Sequence, residues 1–436
     1  MTFRALAITA VLLVAFALPS AASDWPQWQG PNRDNVSKET GLLKSWPKDG
    51  PKLLWTYEKT GSGFSGPAIV GDRLYILGDR GDSQYVIALD VTSTMVTEAW
   101  ATKIGPVFEN SYGNGPRSTP TVDGDRVYVL AASGSPANSR DSQGMVACLD
   151  VASGKIVWEK SLKGDLNGQM MSGWGYSESP LIDGDKLVCT PGGSKGTLAA
   201  LDKKTGEVLW RSKELTDPAA YSSAIVAEVG GVRQYLQTTG KAVVGVAAKD
   251  GKLLWRHPKP EYRTAVIPTP IFHNDLVYVT AGYQVGCELL RLSSNSPGVK
   301  AESVYVNNRK SHEQDNVENK HGGVVLVGDH IYGWSDGPGR GRWVCQDFKT
   351  GKVVCQSEKL GRGSITYADG RLYCYAERDG TVVLIEASPK EWIEHGRFKI
   401  PKTQKPGSVW THPVVANGRL YLRDQELLYC YDVRAN

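Results

Sequence analysis

Apolar and polar residues alternate along most of this chain, and one kind of tight turn interrupts the alternation repeatedly. "PAIVGDRLYIL" (67–77), "PTVDGDRVYVL" (120–130), "PLIDGDKLVCT" (180–190) and "PIFHNDLVYVT" (270–280) are versions of one pattern. "VVLVGDHIYGW" (324–334), "ITYADGRLYCY" (365–375) and "PVVANGRLYLR" (413–423) repeat it, and "IVAEVGGVRQYLQ" (225–237) is a degenerate form. A period of two on both sides of a Gly-Asp, Asp-Gly or Asn-Gly turn predicts two strands joined as a hairpin. No stretch between the hairpins has a helical period.

The better units continue with two more strands. "MVACLDVASGKIVWEK" (145–160) and "TLAALDKKTGEVLWRS" (197–212) read as a strand, an Asp-led turn containing Gly, and a strand ending in Trp. Four antiparallel strands recurring at roughly 40 to 60 residues predict the blade of a β-propeller. A single blade cannot bury both of its faces, whereas a ring of blades buries each face against a neighbour. The pattern therefore predicts an all-β propeller of eight blades, or seven if the 225–237 unit is not one. The recurring Trp is predicted to pack between blades.

"PKLLW" (51–55) stands out of place. It matches the fourth strands "GKIVW", "GEVLW" and "GKLLW", yet it precedes the first repeat, and the last repeat stops after its third strand in "ELLYCYDVRAN". The N-terminal segment is therefore predicted to supply the missing fourth strand and close the ring, removing an exposed edge. Residues 51–436 then form the propeller. Residues 23–50 form a Trp-rich arm, with Trp25, Trp28 and Trp46 pinning it across one face.

The first 22 residues read differently. Arg4 precedes the apolar stretch "ALAITAVLLVAFAL" (5–18). At about 1.5 Å per helical residue this is too short for a bilayer core of about 30 Å. "PSAAS" offers small residues for cleavage after Ala22 or Ser23, so residues 1–22 read as a signal peptide. The expected location is periplasmic or secreted. The first cysteine is Cys148, so none lies near the cleavage site to carry a lipid, and no later segment is apolar enough to span a membrane.

Composition narrows the partners. Apolar residues make up 41% of 436, which is globular. Loss of the leader removes Arg4 alone, taking the net charge from +4 to +3, too mild for a nucleic-acid binder. Seven cysteines leave at least one unpaired, and most sit in strand patterns as small buried residues. Cys345 and Cys355 flank the hairpin "CQDFKTGKVVC" and are placed to face each other.

"ALDKKTGEVLW" and "CLDVASGKIVW" resemble the repeat of the pyrroloquinoline-quinone (PQQ) propeller superfamily, at the level of blade pattern over nearly all of 51–436. That superfamily contains the quinoprotein alcohol dehydrogenases and the BamB-like outer-membrane assembly propellers. The first branch implies PQQ and calcium in the central funnel, a catalytic Asp and typically a pair of adjacent cysteines. The second implies a periplasmic scaffold. This chain has no adjacent cysteines and no Cys-x-x-Cys-His haem signature. The motif residues themselves make turns and pack, so they specify the fold and not the chemistry.

Other motifs fail on context. "GSGFSG" (61–66) has dinucleotide-loop spacing but is followed by a strand, where such a loop must open a helix. "GWSDG" (333–337) has nucleophile-elbow spacing, with Ser335 in a hairpin loop. The "DGD" turns at 123–125 and 183–185 are explained as hairpin turns without calcium. In "NNRKSHEQDNVENKH" (307–321), His312, Glu313, Asp315, Glu318 and His321 match no compact metal spacing. No metal site is expected.

The better site is topological. In a propeller, residues just before each innermost strand line the funnel mouth. One offset around the ring gives Phe64, Arg117, Ser177, His321, Arg362 and Trp410, with Glu178 and His412 beside them. Arg117, Glu178, His321, Arg362, Trp410 and His412 are the candidate ligand-binding residues, with Glu178 the one acid near three cations. Aromatic and cationic groups around a concavity suit a polar or anionic ligand.

The reading is an exported PQQ-like propeller acting as a ligand-binding or protein-scaffolding module of the cell envelope. No enzymatic activity and no cofactor are expected on that reading, and a monomer is expected. The partner is an envelope protein or a polar or anionic small molecule. The alternatives are a divergent PQQ-dependent oxidoreductase, using PQQ with calcium, and a carbohydrate-binding or carbohydrate-processing propeller.

Overall fold

The computed structural model describes residues 23–111, 113–135, 141–295, 298–337, 339–404 and 407–435. Their hairpin turns fold where the sequence places them, and the strands assemble into eight sheets among the described residues, each with four antiparallel strands in blade order. The only helix among them is the single 3-10 turn Glu313–Asp315. The degenerate unit forms a regular blade from Ile225–Val229, Val232–Thr238, Ala242–Ala247 and Leu253–Pro258, which settles the count at eight.

Blades 1 to 7 follow one another along the chain, and blade 8 is shared between its ends. Val414–Ala416, Arg419–Asp424 and Leu427–Asp432 form its first three strands, and Lys52–Tyr57 pairs antiparallel with the third. Closure therefore occurs as the sequence implied. No helix of the described residues is long and apolar enough to cross a membrane.

Each blade's fourth strand carries a bulge. In blade 2 the register passes from Ile156 opposite Leu149 to Trp158 opposite Cys148, leaving Val157 unpaired, and equivalent shifts occur in the other seven blades. A bulge changes which face the next side chain uses. It turns Trp158 inward and the preceding apolar residues out, so Val157, Leu209, Val304 and Val354 are all exposed.

The redirected Trp locks onto the next blade. Trp55 Nε1 donates to Thr92 O, Trp100 to Val151 O and Trp158 to Lys203 O, each in the Asp-led turn of the following blade. The turn's Gly lies flat over the indole: a Cβ on Gly206 would stand 2.7 Å from Trp158, and one on Gly251 2.4 Å from Trp210. Tyr305 replaces Trp in blade 5 and donates to Phe348 O. The predicted interblade role of these aromatics is thus observed.

The arm departs from expectation. It does not lie across one face but occupies the axis. Trp25 exchanges backbone hydrogen bonds with Ile69 of blade 1, and Pro26 O accepts from Val122 of blade 2. Arg33 donates to the Ser179 and Pro180 carbonyls of blade 3, and Trp28 to Thr269 Oγ1 beside blade 5. Val36–Ser37 pairs parallel with the innermost strand of blade 7, and Glu39 reaches Asn417 and Gly418 of blade 8. A segment bonded to the inner edges of six blades can lie only in the central channel. The sequence could not show this, because these contacts are made by residues far apart in the chain. Only the later part, with Trp46 against Tyr373 and Phe398, lies on the outer turn face.

Cys345 and Cys355 stand opposite each other in register, and all seven cysteines are free thiols.

Two outcomes test these contacts. Gly184 and Gly206 both have positive φ, 62° and 74°, but only Gly206 faces an indole. Gly184→Ala should cost about 1–2 kcal/mol from backbone strain alone. Gly206→Ala should cost clearly more in urea unfolding, and equal costs would remove the indole contact from the account. Deleting residues 24–58 should expose the edge of Leu427–Asp432 and empty the channel, giving oligomers in light scattering; a monomer with unchanged Tm would contradict the closure.

Candidate functional site

The innermost strands bring one residue per blade to the funnel mouth. Counting four residues before each strand's Thr121-equivalent gives Phe64, Arg117, Ser177 and Tyr221 in blades 1 to 4. The same count gives Ile267, His321, Arg362 and Trp410 in blades 5 to 8. All eight line one recess of about 440 Å³, together with His412. The arm closes it beneath, with Trp28 in its wall. The recess is blind because the channel is filled.

Of the residues singled out from sequence, only Glu178 is misplaced. It follows Ser177, and alternation in extended chain sends consecutive side chains to opposite sides. Glu178 thus points into blade 3, where it is 3% exposed, accepts from the Thr190 N–H and lies 3.3 Å from Gln237 Nε2. Burial pushes its carboxyl up to about 7, against the hydrogen bonds from Thr190 and the charge of Arg33.

The cations are balanced by two other acids. His321 Nε2 lies 2.6 Å from Glu377 Oε2, and Glu377 Oε1 is 3.1 Å from Arg362 NH1. Arg362 Nε donates to Asp336 Oδ1 at 2.8 Å, and Asp336 Oδ2 is 3.2 Å from Lys320 Nζ. Lys320 in turn sits 5.0 Å above the Tyr283 ring. The expectation of a concavity short of acids is therefore corrected. Glu377, Asp336 and Lys320 were missed because they occupy other offsets, on neighbouring loops and strand ends. Ile267 lies at the predicted offset and was readable there, whereas Tyr221 stands two residues further from its turn because the innermost strand of blade 4, Ile225–Val229, is longer than that of blade 2.

Arg117 is the exception. Its guanidinium donates to the Gly113 and Gly115 carbonyls and lies 5.2 Å from the Phe64 centroid. Among the described residues no carboxylate forms an ion pair with it. Asp79, the acid whose charge it feels, is pushed up to about 7 by burial. Burial lowers Arg117 itself to about 10, which leaves it charged at neutral pH.

Stacking fixes the aromatic wall. Phe64 stacks on Trp410 at 4.6 Å and 25°, and the His321 ring lies 4.8 Å from the same indole. His412 Nε2 donates to the His321 carbonyl, and Trp28 packs 4.7 Å from the His412 ring. Burial lowers His412 to about 4, so it is neutral near pH 7, and its Nδ1 has no partner among the described residues. Trp410 Nε1 is likewise buried without one. Such groups are costly unless something pairs with them.

A family model described as outer membrane protein assembly factor BamB matches residues 97–357. The chain belongs to this BamB-type propeller family. No curated protein matches it in sequence. Among solved structures it resembles BamB from Moraxella catarrhalis, at 14% identity and a TM-score of 0.57, covering 88% of this chain and 99% of that one. Quinohemoprotein alcohol dehydrogenase from Comamonas testosteroni gives 13% identity and a TM-score of 0.62, covering 95% and 81%. Sqt1 of Saccharomyces cerevisiae gives 11% and 0.59, covering 89% and 100%. At such identities these similarities establish the shared fold alone.

Glu178 supplies a test of this BamB-type chain's interior. A carboxyl raised from 4.5 to about 7 on folding holds its proton longer in the native state. Native stability from this group is fully present below the unfolded value and falls as pH rises toward 7, by about 3 kcal/mol at 1.36 kcal/mol per unit. Glu178→Gln should flatten that slope in urea titrations between pH 4.5 and 8. An unchanged slope would show that Glu178 ionises normally.

Proposed function

We propose that this chain is an exported BamB-like propeller acting as a binding and scaffolding module of the cell envelope, with the blind funnel recess as its binding site. The single observation that carries the site is the unpaired charge of Arg117 against a stacked aromatic wall in a closed concavity. Family membership supports the scaffolding role, and the leader-like segment 1–22 supports export. The group bound is a carboxylate or sulfate attached to an apolar or ring-bearing body. The anion answers Arg117, and the body lies against Phe64 and Trp410. Low dielectric in a recess floored by protein strengthens such a contact.

The oxidoreductase alternative is not favoured. PQQ with calcium needs free oxygen ligands, and the carboxylate that lines this recess, Glu377, and Asp336 behind it are already engaged by His321, Arg362 and Lys320. Among the described residues no group of three or more His, Cys, Asp or Glu side chains gathers to hold a metal ion. The residues present do not fit that group.

The test is calorimetric titration with small aromatic carboxylates and sulfated sugars. Arg117→Ala should weaken binding by at least about tenfold, roughly 1.4 kcal/mol. Raising salt from about 0.05 to about 0.5 M should weaken the native protein's binding and leave the variant's residual binding nearly unchanged. If no anion binds, or if Arg117→Ala binds equally well, the recess is not the site.

A further inference from the structure

Glu39 presents a puzzle that the recess does not explain. It is 4% exposed, at the turn-face end of the channel, and its carboxylate is held by backbone N–H groups. Oε1 accepts from Ser23 at 2.9 Å and Asn417 at 2.8 Å, and Oε2 from Gly418 at 3.0 Å. Among the described residues no lysine, arginine or histidine forms an ion pair with it. Two other buried acids have such a partner, Glu288 in Lys259 and Glu318 in Arg309, whereas Glu178, buried without an ion pair among the described residues, is pushed up to about 7. A buried carboxylate without a counter-cation is costly.

One of its three donors differs in kind. Ser23 N lies at the boundary where the sequence ends its leader, after Ala22 or Ser23. We propose that the leader is removed between Ala22 and Ser23, and that the new α-ammonium of Ser23 forms the ion pair Glu39 otherwise lacks. This rests on the reading of the chain as exported. A leader peptidase adds water across the Ala22–Ser23 peptide bond: Ala22 departs with a new carboxylate, and Ser23 keeps the nitrogen as an amine. That amine takes up a proton below about pH 8. The nitrogen already within hydrogen-bond distance of Glu39 then carries a full charge, and charge assistance strengthens the bond. Cleavage one residue later would remove this nitrogen and leave Glu39 with two neutral donors.

The pair ties the two ends of the channel segment together. Ser23 and Glu39 meet at the turn face, and between them the chain rises to Trp28 in the recess wall and returns. Processing thereby fastens the floor of the binding recess. The uncleaved chain has a neutral amide at the same point.

The ionisable neighbours are few. Asp24 Oδ1 accepts from Gly71 N, and the Tyr373 hydroxyl is raised by burial first, with Asp369 and Glu39 adding to it. The Arg434–Asp432 pair lies beyond Gly418, with Arg419 next to it. Lys38, next in sequence to Glu39, acts on Asp34. An α-ammonium raised by its partner contributes stability fully below its unfolded value of about 8 and loses it as pH rises through the folded value.

The experiment compares protein made without the leader in two forms. One begins at Ser23 with a free amine, and the other carries a Gly-Gly extension before Ser23; each is made with Glu39 intact and with Glu39→Gln. With Glu39 intact, the extension should reduce the folding equilibrium constant about tenfold at pH 7, as for a charged hydrogen bond, with the difference fading toward about pH 10. In the Glu39→Gln background the extension should change little. An equal cost in both backgrounds, or a cost independent of pH, overturns the ion pair. N-terminal sequencing of the protein recovered from outside the cytoplasm should read Ser23 first, and any other first residue overturns the cleavage site. A chain found only inside the cell with its leader intact overturns the export reading. The stability cycle does not depend on export, so the two failures are distinguishable.

Discussion

The pairing of Lys52–Tyr57 with Leu427–Asp432 is the constraint on which the rest of the molecule depends. Seven blades built from consecutive sequence would still leave two open edges and two apolar faces. The shared blade buries both, and it sets the path of the N-terminal arm. For residue 52 to join blade 8 from outside, the preceding chain must pass from the axis across the turn face. The filled channel and the closed ring are one topological solution.

Between blades, the fourth-strand bulge and the Asp-led turn act as a pair. The bulge aims Trp55, Trp100 or Trp158 sideways, and the next blade's turn receives the indole N–H on a carbonyl; for Trp100 and Trp158 the ring also lies under that turn's Gly154 or Gly206. The repeat motif is therefore an interface written across two repeats, with its Trp in one blade and the Gly it needs in the next. This explains why the motif identifies the fold so well and says so little about chemistry. Its residues are committed to contacts far from the funnel.

The recess follows from the same symmetry with the opposite consequence. Radial repetition delivers eight equivalent positions to one concavity, but nothing in blade stability restricts which side chains stand there. Phe64, Arg117, His321, Arg362 and Trp410 occupy positions that the structural motif leaves free. Most of the cationic charge is neutralised by Glu377 and Asp336, and the remainder is concentrated at Arg117, beside stacked rings. Filling of the channel by the arm gives the recess a closed floor, so that it opens on one side instead of forming a pore.

The sequence by itself determined the all-β class, seven clear hairpins with an eighth in degenerate form, the closing strand and most of the funnel-mouth residues. Each of these is a periodic property: a two-residue alternation, a recurring turn, or a fixed offset within a repeat. Ile267 stands at the same offset, but Tyr221 does not, because the innermost strand of blade 4 is two residues longer than that of blade 2. What only the tertiary structure decided lacks such a period. The path of Trp25–Glu39 along the axis depends on bonds to six blades at once. The inward turn of Glu178 depends on which side of an extended strand faces blade 3. The neutralisation of Arg362 and His321 by Glu377 and Asp336, and the lack of an ion pair to Glu39 among the described residues, depend on groups brought together from distant loops. Repeats make position legible because equivalent residues share a radius, whereas charge balance and axial filling depend on residues that no repeat relates.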